Sequence, residues 1–186
     1  MALFVVLSVF SGLKEFSLSF TNEIDPDLKA TPTLGKSFFV TPKQDQEIKK
    51  IAGIASFSKI IEERVLFTFA DKQEVTYLKG VDTQFTKVNA IEKKLYNGQW
   101  LQPNTYQVVV GYGMAQKFSM GLFDYNTALE VMVPRPGKGT ITIPSEAFNQ
   151  TDLIPIGIYS ISEDLDSKYV FADLGLAQEL LEYQPN

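Results

Sequence analysis

The chain has 186 residues, of which 45% are hydrophobic and 21% are charged, and its formal net charge is −5. A chain of this size and composition folds as one domain or two small lobes and can bury a core. Its residues include no histidine and no cysteine, which excludes Ser-His-Asp and Cys-His catalysis, thiol redox chemistry and zinc sites built on those side chains. The negative charge and the lack of a basic stripe argue against a nucleic-acid partner.

The chain begins with an apolar run. Residues 2–13 read ALFVVLSVFSGL, which is apolar on almost every helical face but shorter than the roughly 20 residues that cross a bilayer. From Lys14 the pattern becomes amphipathic and continues to about residue 22. We therefore predict that residues 1–22 contain the end of a transmembrane helix and a stalk. A helix buried in the core of the domain is the alternative.

A helix start follows at Thr41. Thr41 is a favourable N-cap, Pro42 suits the first helical position, and Gln44 completes a capping box. Ile48 and Ile51 then fall on one helical face, and we expect them to form a buried stripe.

Residues 23–82 are predicted to form a β-α-β-β lobe. Period-two alternation on both sides of Asp71 predicts a hairpin. The predicted strands are residues 27–33, 54–63, 65–69 and 74–79.

Residues 83–186 are predicted to form a β-rich lobe that ends in a helix, which makes the fold class α+β. The predicted strands are residues 106–110, 128–133, 140–143, 153–160 and 168–171. The predicted helices are residues 88–95, 111–118 and 174–183.

Two glycines, Gly111 and Gly113, follow a predicted strand and precede a predicted helix, as in a dinucleotide-binding turn. The third glycine of that motif is replaced by Gln116, and no phosphate-binding lysine follows in the required place. We interpret the pair as a tight strand-to-helix turn.

The acidic residues are also weak candidates for chemistry. Glu163, Asp164 and Asp166 cluster, but Lys168 and Tyr169 stand where a calcium loop would have its third aspartate and its glycine. We interpret the cluster as a solvated turn. Glu62 and Glu63 are adjacent on a strand, so their side chains point to opposite faces and cannot act as an acid–base pair. We expect no catalytic residue, no metal site and no cofactor.

A predicted hairpin over residues 131–143 is the candidate functional element. Its strands alternate so that Val131 and Val133 share one face, and its tip contains two prolines that lack a backbone donor. The candidate partner-docking residues are Val133, Pro134, Arg135, Pro136 and Lys138. Two exposed positive charges would attract a partner with an acidic rim. An ordinary hairpin turn is the alternative.

Seven segments, taken in order, resemble the periplasmic region of permeases of the lipoprotein-releasing system, the LolC/LolE type within the MacB/FtsX-like group. They read LSVFSGL, IDPDLKATP, IAGIASFSKIIEE, LKGVD, VVVGYGMA, VPRPGKG and DSKYVFADLGLAQELLEY. They occupy residues 7–13, 24–32, 51–63, 78–82, 108–115, 133–139 and 166–183.

The resemblance implies a porter-like α/β lobe and a β-rich insert lobe, as in the MacB-like periplasmic core, after the end of a transmembrane helix. In that group the chain returns to the porter-like lobe, so we expect further residues after residue 186. The implied location is the bacterial inner membrane, with this portion in the periplasm.

The implied function is mechanical rather than enzymatic. Such a permease helps to extract lipoproteins from the inner membrane and to pass them to a periplasmic chaperone. The resemblance implies that the chaperone binds to a hairpin of the insert lobe. The implied partners are a cytoplasmic ATPase subunit, a second permease subunit, the lipoprotein and the chaperone. A MacB-like efflux or export permease, an FtsX-like regulatory binding module and a carboxylate hydrolase are the alternatives.

Overall fold

The computed structural model describes residues 2–21, 26–122, 127–135 and 147–183. They form an α+β fold. The helices are α1 (Ala2–Thr21), α2 (Pro42–Lys49), α3 (Phe85–Val88), α4 (Tyr112–Phe118), α5 (Glu163–Asp166) and α6 (Leu174–Leu180), with a 3-10 turn at Ile91–Lys94. The strands are β1 (Ile60–Phe69), β2 (Lys72–Val81), β3 (Leu95–Gly98), β4 (Gln107–Gly111), β5 (Leu129–Pro134), β6 (Phe148–Tyr159) and β7 (Tyr169–Asp173).

The strands form one sheet that closes on itself. Their order is β3-β6-β4-β7-β2-β1-β5, and an additional pairing between β5 and β6 closes the ring of six strands, with β3 attached to β6 outside the ring. The first half of β6 pairs with β5, and its second half pairs with β4 and β3. Pairing is parallel between β2 and β7 and between β4 and β6, and antiparallel elsewhere. We call this closed sheet, with its helices, the barrel; closure protects strand edges from pairing with other chains.

One face of the sheet forms the larger core. Val65, Phe67 and Phe69 alternate along β1 and are almost fully buried, as the period of a strand requires. Helices α4 and α6 contribute Phe118, Leu176 and neighbouring apolar residues to the same cluster. They therefore seal one side of the barrel.

The opposite face forms a smaller, aromatic core. Phe171 of β7 lies 5.2 Å from Tyr159 and 5.5 Å from Trp100, measured between ring centroids. Phe85 stacks on Trp100 at 6.4 Å. The connection between β2 and β4 thus folds back over the sheet and covers this face.

The region before the barrel differs from the prediction. The expected strand at residues 27–33 is absent from the structure, and β1 begins at Ile60 instead of residue 54. Helix α2 starts at the predicted capping box, but no side chain of α2 is buried and Ile51, beyond its end, is 53% exposed. The predicted buried stripe is wrong, since Ile48 is only half-buried and Ile51 is exposed.

Helix α1 exposes apolar residues in every direction. The exposed fractions of Leu3, Phe4, Val9 and Phe10 lie between 64% and 75%. This contradicts the alternative in which the helix is buried in the core. Among the described residues, no helix combines the length and the apolar character that crossing a membrane requires. The end of a transmembrane helix at residues 1–22 stays a prediction.

The division into lobes at residues 23–82 and 83–186 also stays a prediction. Strands β1 and β2 come from the first range, whereas β3 to β7 come from the second. All seven belong to one sheet, so residue 82 does not mark a break in the hydrogen bonding. The helix predicted at residues 88–95 is a short α3, a 3-10 turn and the start of β3.

Candidate docking site at the β5–β6 hairpin

Strand β5 lies between β1 and β6, and β6 is its partner in the hairpin. Val131 and Val133 are buried on one face of β5, as predicted, and the next two residues, Pro134 and Arg135, are exposed. The β5–β6 ladder runs from Leu129↔Leu153 to Pro134↔Phe148, so β6 begins before the predicted residue 153. Pro136, Lys138 and the predicted strand at residues 140–143 lie outside the described residues.

The base of this hairpin is held by a polar network. The Arg135 amide donates to the carbonyl of Ala147 at 2.9 Å, which joins the two sides directly. The Arg135 Nε donates to Asn149 Oδ1 at 2.6 Å. Asn149 Nδ2 donates in turn to the Leu180 carbonyl at 2.8 Å and to Glu182 Oε1 at 3.1 Å. Hydrogen bonds therefore tie the hairpin base to the end of α6.

Arg135 is exposed, and its positive charge has an acidic partner. Its Nε lies 3.7 Å from Glu182 Oε1, with both side chains about half exposed. An exposed ion pair contributes little to stability, roughly 0–1 kcal/mol. The pairing with Glu182 does reduce the positive charge that Arg135 presents to an acidic partner, and it fixes the direction of the guanidinium.

Glu182 occupies a backbone position that favours glycine. Its φ is +55°, and α6 ends in a Schellman motif with hydrogen bonds from Tyr183 N to Gln178 O and from Glu182 N to Glu179 O. A side chain in the left-handed region costs about 1 kcal/mol relative to glycine. The cost is offset only in part by the contacts of the carboxylate with Arg135 and Asn149.

A groove of about 680 Å³ lies between the hairpin base and α6. We call it the hairpin groove. Its lining includes Tyr106, Met132, Arg135, Phe148, Glu179 and Glu182. The rings of Tyr106 and Phe148 are 47% and 41% exposed, and the Tyr106 hydroxyl lies 3.4 Å from Glu179 Oε2. An apolar surface with a charged rim therefore stands beside the predicted docking residues.

Solved structures with a related fold are domains of transporter permeases. The extracellular domain of the noncanonic ABC-type transporter YknZ from Gram-positive bacteria has 12% identity and a TM-score of 0.48 over 75% of this chain. The periplasmic region of MacB from Actinobacillus actinomycetemcomitans has 15% identity and a TM-score of 0.48 over 75% of this chain. A domain assigned to a permease protein of Porphyromonas gingivalis has 13% identity and a TM-score of 0.43 over 74%.

The aligned regions span 65%, 57% and 54% of those three chains, less than two thirds of each. The likeness concerns the fold and does not extend to a substrate, a partner or an activity. The sequence matches no protein-family model and no curated protein.

The glycine pair after β4 serves packing. A Cβ at Gly111 would lie 2.0 Å from the carbonyl oxygen of Asp166, and one at Gly113 would lie 2.4 Å from Ser167 Oγ. The start of α4 therefore lies against the end of α5. At Gly111 the obstructing atoms belong to the backbone, so only glycine fits there, whereas at Gly113 the nearest atom belongs to a side chain that can move. Because Gly111 has an ordinary φ of −75°, the requirement is the close approach rather than an unusual backbone conformation.

The acidic cluster is solvated only in part. Glu163 and Asp164 are exposed, as predicted, but Asp166 is buried. It accepts hydrogen bonds from Ser160 Oγ at 2.9 Å and from the Ile161 amide at 2.8 Å. Asp166 therefore orders the turn, and among the described residues no group of three acidic side chains is placed to hold a metal ion.

Glu62 and Glu63 face different partners, as their positions on a strand require. Glu63 Oε1 lies 2.7 Å from Lys36 Nζ. Glu62 Oε2 lies 3.8 Å from the nearly buried Lys79 Nζ, which also lies 4.7 Å from the ring centroid of Tyr169. Burial raises the pKa of the Tyr169 hydroxyl above its usual value.

Sequence patterns did not identify the hairpin groove. Its members Tyr106, Phe148, Glu179 and Glu182 come from three separate stretches of the chain. Only the closure of the sheet and the packing of α6 bring them together. The sequence signal nearest to the groove was the candidate hairpin, whose residue Arg135 is part of the groove lining.

Proposed function

We propose that this chain is the extracytoplasmic domain of a bacterial ABC transporter permease of the lipoprotein-releasing type. It would lie on the periplasmic side of the inner membrane. Its partners would be a cytoplasmic ATPase subunit, a second permease subunit, the lipoprotein and a periplasmic lipoprotein chaperone.

The observation that carries the proposal is the fixed base of the β5–β6 hairpin. At Arg135, within the VPRPGKG segment, three side chains and the end of α6 are hydrogen-bonded together. Fixed presentation favours docking, because less conformational freedom is lost when the partner binds. The order of the seven resembling segments gives this element the same place in the chain as the docking hairpin of the lipoprotein-releasing permeases.

The surroundings of α1 support the membrane location. Its exposed apolar side chains need an apolar environment, since burial of such surface is favourable by roughly 25 cal/mol per Å². A bilayer, with the rest of a permease, provides that environment on all sides. The domain would then stand directly above the membrane and follow movements of the helices below.

The proposed role involves no covalent step in this chain. ATP binding and hydrolysis in the partner subunit would drive the motion, and the barrel would transmit it as a rigid body. The hairpin would hold the chaperone close to the extracted lipoprotein.

The test is lipoprotein release by the full-length permease with its ATPase subunit in proteoliposomes. The double variant Arg135→Glu and Lys138→Glu should reduce chaperone capture and lipoprotein release about ten-fold or more, since reversal of charges at a docking surface mainly slows association. Lys93→Glu, an exposed charge reversal on the 3-10 turn, should leave both unchanged. Release and capture that persist in the folded double variant would contradict the docking role.

A further inference from the structure

The hairpin groove is unusual in the barrel for its exposed aromatic surface. From residue 58 onward, four large hydrophobic residues are exposed among those that the structure describes: Val75, Tyr96, Tyr106 and Phe148. Two of these four, Tyr106 and Phe148, line the hairpin groove. Exposed aromatic side chains in a concave site are typical of the anchoring positions of protein interfaces.

The charge on the rim has a definite sign. Among the described lining residues, Glu179 and Glu182 face a single guanidinium, that of Arg135. Arg135 lies close to Glu182, so the pair is compensated and the carboxylate of Glu179 leaves the rim negative. The chain as a whole also carries a net charge of −5. Both the local and the long-range electrostatics therefore favour a cationic ligand.

We propose that the hairpin groove binds a peptide segment of a protein partner that carries an aliphatic side chain next to a lysine or an arginine. The aliphatic side chain lies between the rings of Tyr106 and Phe148, and the cation contacts Glu179 and Glu182. The inference goes beyond the docking role of the hairpin, because the groove selects a cation whereas Arg135 and Lys138 would attract an acidic surface. The groove chemistry itself is independent of the cargo.

The test uses the 186-residue chain and two synthetic hexapeptides. One peptide has two central leucines flanked by lysines, and the other has glutamates in place of the lysines. Amide chemical shifts in a ¹⁵N NMR titration report weak binding residue by residue. The lysine peptide should shift the amides of Tyr106, Phe148 and Glu179, and the glutamate peptide should bind about ten-fold more weakly or not at all.

Glu182→Gly separates binding from folding. Because glycine suits the left-handed position, the midpoint of thermal unfolding should stay the same or rise. The affinity for the lysine peptide should fall about five-fold, the amount expected for one exposed ion pair. Phe148→Ala should weaken both peptides equally, and Lys93→Glu on another surface should change neither affinity.

Equal affinities of the two peptides, or an unchanged affinity in the folded Glu182→Gly variant, would overturn the inference. Chemical-shift changes confined to amides outside the groove would also overturn it. These outcomes differ from failure of the proposed function. If the lysine peptide binds the groove while the Arg135→Glu and Lys138→Glu variant releases lipoproteins normally, the groove inference stands and the docking role in lipoprotein release does not.

Discussion

The barrel and the segment before it, residues 26–57, are held by different forces. In the barrel, side chains such as Phe67 and Phe171 are completely buried. In the preceding segment, Leu28 and Leu34 are 83% and 88% exposed. The comparison teaches that an apolar residue in a sequence predicts burial only where another element of the fold covers it.

Helix α2 is braced by local interactions, and its contact with the barrel is an ion pair between Asp45 Oδ1 and Lys59 Nζ at 3.7 Å. Thr41 Oγ1 accepts from the Gln44 amide at 3.3 Å, and Gln44 Oε1 accepts from the Thr41 amide at 2.9 Å. Lys49 Nζ lies 2.5 Å from Asp45 Oδ2, one helical turn away. Such contacts are encoded within a few residues. A helix of this length is nevertheless marginal without tertiary packing.

The largest difference should appear on truncating one apolar side chain in each region. Phe67→Ala removes a completely buried ring from the barrel and should lower the free energy of unfolding by about 3–5 kcal/mol. Ile51→Ala removes an exposed side chain and should change it by less than about 0.5 kcal/mol. Urea unfolding followed by the fluorescence of Trp100, the single tryptophan, measures both, because Trp100 packs in the aromatic core. A loss from Ile51→Ala comparable with that from Phe67→Ala would break the comparison.

The sequence predicted the parts of the fold that depend on interactions between residues close together in the chain. The β1–β2 hairpin, the helix start at Thr41, the turn at Gly111 and the buried face of Val131 and Val133 all follow from periodicity or turn chemistry. What the sequence did not predict depends on long-range pairing. Nothing in the pattern of β6 shows that its two halves pair with different strands, and this arrangement closes the sheet.

The same limit applies to the candidate site. The two prolines and Arg135 indicated an exposed tip, which local chemistry determines. The compensation of Arg135 by Glu182 depends on a residue 47 positions away, so the charge of the surface beside the tip was not predictable. Its sign follows only from the fold.

A smaller effect on the stability of the barrel is expected at alkaline pH. Tyr159 is completely buried in the barrel, and its hydroxyl donates to the carbonyls of Leu165 and Tyr169 at 2.8 and 2.9 Å. Burial, and after it the carboxylate of Asp166, raises the pKa of Tyr159 above its usual value. The neutral form is favoured by folding, so this contribution is complete below about pH 10 and is lost as the pH rises above it, by about 1.4 kcal/mol per pH unit.

Tyr159→Phe tests this contribution. At pH 7 the variant should be about 1–3 kcal/mol less stable, since two buried carbonyls lose a donor. Between pH 10 and 11 the difference from the wild type should narrow by about 1 kcal/mol, because the unfolded tyrosine is already half ionised at pH 10. Urea titrations at both pH values measure it. A difference that stays constant with pH would show that Tyr159 ionises as easily in the folded chain as in the unfolded one.

The smallest difference separates two helix caps of the same kind. Thr41 caps α2, and Asp173 caps α6 by accepting a hydrogen bond from the Gly175 amide at 3.0 Å. Replacing either cap by alanine should cost its helix about 1 kcal/mol. Because α6 packs in the barrel core, Asp173→Ala should lower the urea midpoint reported by Trp100. Thr41→Ala should leave that midpoint unchanged and only speed amide exchange within α2. If both variants lower the Trp100 midpoint equally, α2 unfolds together with the barrel, and the two regions are one cooperative unit.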